Sequence, residues 1–278
     1  MTTPFLFRHA TLFALCSLLV LTGAGCGSKP KVQPPLPPDA LSKPPEQQEA
    51  RWIFQPNDAL DVRVGLGEGA PMRRVTFTRF NPKTVADFTW ANVTSSANKV
   101  ALSGTIEEVG LRGAHVWLMP SVWKKGSASL IQEKSAMWLS DDAFLELANT
   151  KRTNVDIGLR DAGVASLANG AATRAIYATL AQKAADELKR RDPNVVMEDA
   201  TIATKTIKVN GKDAEVPVIR ARNWYGTFEV LQVRQNPLVL SFTLDPDATS
   251  GINKTSKEFL ALRDLVSFEV TSLLLYGR

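Results

Sequence analysis

The sequence predicts an α+β fold, predominantly antiparallel β-sheet with a helical insertion at about residues 163–192. Three observations carry this. From Leu60 to Met119, apolar and polar residues alternate in short runs with turn residues between them, the pattern of a half-buried antiparallel sheet. Gly163 to Arg191 is rich in alanine and repeats its apolar residues with the period of a helix. After that stretch the alternation returns, and Asn210-Gly211 joins two of the runs.

Leu60-Asp61-Val62-Arg63-Val64 is the first alternating run, and Gly65-Leu66-Gly67-Glu68-Gly69 turns the chain after it. Arg74 to Phe80 alternates again and ends at Asn81-Pro82. Val100 to Val109 and Ala114 to Met119 give two further strands around Gly110-Leu111-Arg112-Gly113, and Gly126 to Ser129 reads as a loop. Ser140 can cap a short helix near 140–149, where Asp141 and Asp142 complement the positive end and Phe144, Leu145 and Leu147 supply the face to bury. Asn154 to Leu159 has strand character.

In the alanine-rich stretch, Ile176, Leu180, Ala184 and Leu188 fall four apart on one face. Lys189, Arg190 and Arg191 suit the negative end of that helix, and Asp192-Pro193 stops it. Thr206 to Val209, Asn210-Gly211 and Ala214 to Arg222 form a hairpin signal, because a type I′ turn needs positive φ at both central residues. Phe228 to Val233 and Leu238 to Leu244 form a second hairpin around Arg234 to Pro237. Thr255 or Ser256 can cap a short helix near 256–264, and Leu265 to Tyr276 is a final apolar strand. Residues 51–278 are thus a β-rich globular region, either one domain or two β subdomains, 51–160 and 195–278, separated by the helix.

The first 25 residues divide like a secretory signal: a short n-region with Arg8, then a run of about a dozen mostly apolar residues from Ala10 to Leu21. A helix needs roughly 20 apolar residues to span a bilayer core, so this run is too short for that and suits a cleaved leader. It ends in Leu21-Thr22-Gly23-Ala24-Gly25-Cys26, which resembles the lipobox of bacterial lipoproteins, with Gly23 standing where leucine is usual. The resemblance implies a mature chain beginning at a lipidated Cys26. Gly27, where an inner-membrane protein of that family would carry Asp, implies an outer-membrane address. Two or three acyl chains suffice for stable anchoring where one does not. Residues 26–50 then form a tether containing Pro30, Pro34, Pro35, Pro37, Pro38, Pro44 and Pro45. Extended polyproline II, at roughly 3.1 Å per residue, gives it a reach on the order of 50 Å. Beyond the leader, the run from Met137-Trp138-Leu139-Ser140 to Asn236-Pro237-Leu238-Val239-Leu240 resembles a segment of uncharacterised bacterial envelope proteins, a likeness that carries no activity.

Composition narrows the chemistry. The formal charge of +5 falls by one when Arg8 leaves with the leader, a mild surplus that does not point to nucleic acid. Cys16 leaves with it too, so the mature chain keeps only Cys26 and one histidine, His115. That leaves no disulfide, no thiol nucleophile and no histidine-rich zinc site. Neither a Gly-x-Ser-x-Gly elbow, a phosphate loop nor a His-Glu-x-x-His motif occurs. A serine triad would have to use His115, which reads as a structural or surface residue within a strand.

Acid pairs at Glu107-Glu108, Asp141-Asp142 and Glu198-Asp199 read as solvated surface, or as helix capping for Asp141-Asp142. Asp245, Asp247 and Thr249 have the spacing of a calcium loop, but its turn glycine comes one place late and Ser256 stands where a glutamate belongs. Trp117 and Trp138 read as core. Trp123, Trp224 and Tyr225 sit at turns and are the candidate contacts for a partner or ligand.

No catalytic residue, metal or cofactor is expected. The reading favoured is a non-enzymatic envelope lipoprotein with a binding or scaffold role, membrane-bound through Cys26 and contacting other envelope proteins. Two alternatives stay open: a carrier or sensor of a hydrophobic ligand, and a carboxylate-dependent hydrolase of cell-wall glycans. An apolar cavity above roughly 300 Å³ would favour the carrier. Two carboxylates converging in a cleft would favour the hydrolase.

Overall fold

The computed structural model describes residues 51–67, 69–81, 85–93, 104–109, 116–117, 120, 123, 128–132, 134–154, 170–190, 196–247 and 250–277. Cys26, His115, and the expected strand beyond Asn154 lie outside the described residues. Sheet dominates the chain and helices are interspersed with it. Eleven strands share one sheet, which runs from the strand over Ala128–Gln132 at one edge to the strand over Thr153–Asn154 at the other.

The first half of this sheet is built from β1 (Ala59–Val64), β2 (Met72–Asn81), β3 (Val85–Asn92), β4 (Gly104–Val109) and β6 (Ala128–Gln132). The strands β3 and β6 go beyond the sequence reading. Ala128 and Ser129 are strand residues, not loop, because β6 pairs in parallel with β4 from Thr105↔Ala128 to Val109↔Gln132. Between them in the chain lies β5 (Val116–Trp117), which pairs with β7 (Lys134–Ser135) in a separate two-stranded sheet. One face of β2 and β3 carries an aromatic core. Phe77 stacks on Phe54 at 4.2 Å and meets Trp138 edge-on at 5.8 Å, and Phe88 packs on Trp123 at 5.3 Å. Arg73 closes this core from above Trp90, 4.6 Å from the ring centroid, and burial pulls its guanidinium down to about 10.

Helix α1 (Asp141–Thr150) begins where its sequence signals place it: Ser140 accepts from the Ala143 N–H at 3.2 Å, and Phe144 and Leu147 are buried. After β8 (Thr153–Asn154), α2 (Ala171–Arg190) buries Leu180 completely and packs Ile176 and Tyr177 against the core. Helix α3 (Lys257–Val266) is capped by Ser256, which accepts from the Phe259 N–H, and buries Phe259, Leu262 and Val266.

The second half of the sheet is β9 (Val196–Val209), β10 (Lys212–Asn223), β11 (Gly226–Leu231), β12 (Val239–Leu244) and β13 (Phe268–Leu274), consecutive antiparallel neighbours. These five close into a barrel, because β13 also pairs in parallel with β9 at Ser272↔Lys208 and Leu273↔Val209. The Asn210-Gly211 turn has φ of 50° and 80°, as its sequence requires. Asn210 does more than turn the chain. Its side-chain oxygen accepts from the Leu275 N–H at 2.7 Å and its amide donates to the Leu275 carbonyl at 2.9 Å, which extends the β9–β13 seam.

The two β blocks share one sheet. Strand β1 pairs with β13 over its whole length, from Ala59↔Leu274 to Val64↔Phe268, and the described residues make one compact unit. Asp58, fully buried, fastens the ends: it accepts from the Gln55 N–H at 2.7 Å and from the Tyr276 N–H at 2.8 Å. No helix among the described residues is long and apolar enough to cross a membrane.

Candidate functional site

Alternation along the barrel strands sorts their residues onto two faces. Phe228, Phe242 and Phe268 lie on one face, and all are buried. Glu229, Ser241 and Glu269 lie on the other, in a row across β11, β12 and β13 through the pairs Glu229↔Ser241 and Ser241↔Glu269. Arg220 joins that row opposite Glu229, and Thr201 opposite Arg220. Val216, Val218 and Leu231 belong to the same face and are completely buried, so it is apolar at one end of the barrel and polar at the other.

Lys205 holds the polar end together. Its Nζ lies 2.6 Å from Glu229 on β11 and 3.0 Å from Glu269 on β13. Strand β10 separates Lys205 from Glu229, and β12 separates the two glutamates, so one ammonium reaches both only from the concave side of the closed ring. Glu229 also accepts from Arg220 Nε and Ser241 Oγ, each at 2.9 Å, and Glu269 accepts from Arg63 on β1. Burial pushes both carboxyls up, but their hydrogen bonds from Lys205 and the further donors outweigh it, and both are held below the usual glutamate range. Burial likewise pulls the Lys205 ammonium down, and its bonds to the two carboxylates more than offset that, so it stays above the usual lysine value.

These residues surround a pocket of about 510 Å³ that opens at the polar end. Leu66 from the β1–β2 loop, Arg222 and the hydroxyls of Thr201, Thr227 and Thr243 complete its wall. Its size exceeds the threshold set for a carrier, and its wall combines apolar surface with the charged side chains of Lys205, Arg220, Arg222, Glu229 and Glu269. Two carboxylates do converge in it. Both are driven toward the ionised form, whereas the general acid of a glycan hydrolase keeps its proton near neutral pH.

The candidate contacts divide. Trp123 is 5% exposed, packed on Phe88 and Trp90, and Tyr225 is fully buried against Phe228 and Phe242. Neither presents a surface to a partner: turn position suggested exposure, and tertiary packing removed it. Trp224 is half-buried, edge-on to Tyr225 at 4.9 Å with Lys183 of α2 5.0 Å above its ring. None of the three lines the pocket.

Asp141 has a role beyond the helix end. It is buried and takes a two-pronged bond from Arg234, at 3.0 and 3.2 Å. Asp245 and Asp247 of the calcium-like loop pair with Lys254 and Arg222 at 2.7 and 2.6 Å, and Ser256 caps α3. No group of three or more His, Cys, Asp or Glu residues able to hold a metal occurs among the described residues. Glu107 and Glu108 are consecutive in β4, as are Glu198 and Asp199 in β9.

The sequence reading did not single out Lys205, Glu229 or Glu269. A charged residue interrupting an apolar strand, as Glu269 does in Phe268-Glu269-Val270, was the available signal. No family model, curated protein or solved structure matches the chain.

Proposed function

We propose that this chain is a bacterial envelope lipoprotein, anchored through Cys26 in the outer membrane, whose α+β domain binds a ligand without transforming it. The observation that carries the binding half is the ion cluster inside the barrel. A pocket of ligand size is walled by side chains whose two carboxylates are already neutralised by Lys205, Arg220 and Arg63. Such a wall offers fixed charges and hydrogen bonds and supplies neither a protonated acid nor an unengaged nucleophile. The anchoring half rests on the apolar leader, the small residues before Cys26 and the proline tether.

Two measurements test the two halves. Cells fed labelled palmitate should label the wild-type chain and not Cys26→Ser, and label retained by the mutant would remove the anchor. Purified full-length protein incubated with cell-wall glycan should release no reducing ends above background. Release that disappears in Glu229→Gln would replace binding with hydrolysis.

A further inference from the structure

The pocket's two carboxylates are already paired with cations while its arginines keep unused donors, and this points to the charge of what fills it. Glu229 already accepts from Lys205, Arg220 and Ser241, and Glu269 from Lys205 and Arg63. A ligand cation would meet carboxylates whose charge Lys205, Arg220 and Arg63 already neutralise. The arginines are in the opposite state. A guanidinium carries five N–H donors. Arg220 spends Nε on Glu229 and one long contact of 3.5 Å on the Thr204 carbonyl, and Arg222 spends one on Asp247. Their side chains are 53% and 54% exposed. They stand two residues apart on β10, opposite Glu229 and Thr227 of β11, so both aim along the same face, roughly 7 Å apart along the strand. The wall as a whole carries Lys205, Arg220 and Arg222 against two glutamates, a cationic surplus.

Size and the remaining wall narrow the class further. About 510 Å³ is far more than an inorganic anion fills and lies in the range of small-molecule sites. Thr201, Thr227 and Thr243 offer hydroxyls that donate and accept, which suits a polyol. Phe228 and Phe268 also border the pocket, yet they are 1% and 2% exposed and give no platform for a flat ring.

From this we infer that the barrel pocket takes a small acidic sugar, its carboxylate or phosphoryl group gripped by Arg220 and Arg222 and its hydroxyls by the threonines. Forked guanidinium donors match both oxyanions, which a single ammonium does not. This inference rests on the binding reading proposed above.

The test is calorimetric titration of the full-length protein in neutral detergent, at fixed ionic strength, with glucuronate, glucose 6-phosphate and glucose. At least one acidic sugar should bind at least tenfold more tightly than glucose, and the preference between the two names the oxyanion. Arg220→Gln/Arg222→Gln should weaken that binding at least tenfold. Lys212→Gln/Lys257→Gln removes the same charge from exposed positions outside the pocket and should change it less than twofold. Arg222→Lys, which keeps a cation beside Asp247 but not the fork, should weaken binding in smaller measure. Lack of acidic-sugar binding, equal affinity for glucose, or equal losses in both double variants would overturn the inference. A sugar recovered chemically changed, with the arginine dependence intact, would instead overturn the non-enzymatic reading alone.

Discussion

Lys205→Met tests whether the ion cluster holds the barrel. In the wild type, one ammonium with 14% of its side chain exposed bridges carboxylates with 18% and 27% exposed. Removing one partner of a fully buried pair typically costs about 3–5 kcal/mol, because a charge is left without compensation. Here Glu229 keeps Arg220 and Ser241, and Glu269 keeps Arg63, so the loss should be about 2 kcal/mol. For a domain of this size that corresponds to a fall in Tm of about 4–8 °C. Differential scanning calorimetry on the full-length protein reads it directly. The pH dependence has a definite sign. Carboxyls held below their unfolded values contribute stability above the ordinary glutamate range and lose it as pH falls through the lowered values. The ammonium, held above its unfolded value, contributes below the ordinary lysine range and loses this as pH rises through the raised value. The gap between wild type and variant should therefore be widest near neutral pH and close toward both extremes. The triple variant Lys205→Met/Glu229→Leu/Glu269→Leu removes the buried charges but also the partners of Arg63 and Arg220, so it should recover only part of the lost stability, those two side chains being 41% and 53% exposed and able to turn to water. An unchanged Tm in Lys205→Met, or a gap independent of pH, would refute the cluster's role.

Three further substitutions probe the frame around the pocket. Asn210→Gly keeps the positive-φ turn but removes both bonds to Leu275, so stability should fall by about 1–2 kcal/mol in urea denaturation; a residue needed only for the turn would show no loss. Gly65→Ala combines φ of 104° with a Cβ only 2.3 Å from the Asp264 carbonyl oxygen, and should lower the urea midpoint by an amount equivalent to about 3 kcal/mol. Asn236→Ala removes the acceptor of the Trp138 indole N–H at 2.8 Å and the donor to the Trp52 carbonyl at 2.5 Å, all of them buried, and should cost about 3 kcal/mol by tryptophan-fluorescence melts.

Local signals in the sequence transferred well to the structure. Ser140 and Ser256 cap helices because their hydroxyls reach amides three residues on, and Asn210-Gly211 turns a hairpin because its backbone demands positive φ. Features that depend on distant partners did not. Strand β3 lies in Val85-Ala86-Asp87-Phe88-Thr89-Trp90, which alternates well, but its reading depended on β2 and β4 being known neighbours. The barrel closes through two parallel pairs between β9 and β13, which no turn residue announces. Glu229 and Glu269 are as far from Lys205 as 24 and 64 residues along the chain, so nothing local foretells that one ammonium joins them. Tyr225 shows the opposite error. Asn223-Trp224-Tyr225-Gly226 is a turn, as its composition says, yet the Asn223 side chain accepts from the Tyr225 and Gly226 amides while the tyrosine ring packs inward.

The pairing of β1 with β13 makes the fold nearly circular. Ala59 lies opposite Leu274, and Asp58 grips the amide of Tyr276, so the two ends of the folded unit leave it side by side. A short peptide could join them while new ends are opened at the exposed Asn210-Gly211 tip, giving a permuted chain with the same neighbours in the sheet. The same geometry governs labelling: a fluorophore fused after residue 278 would report the surroundings of Asp58 and the start of β1, and one placed at Lys212 or Asp213 would report the hairpin tip beside Leu275.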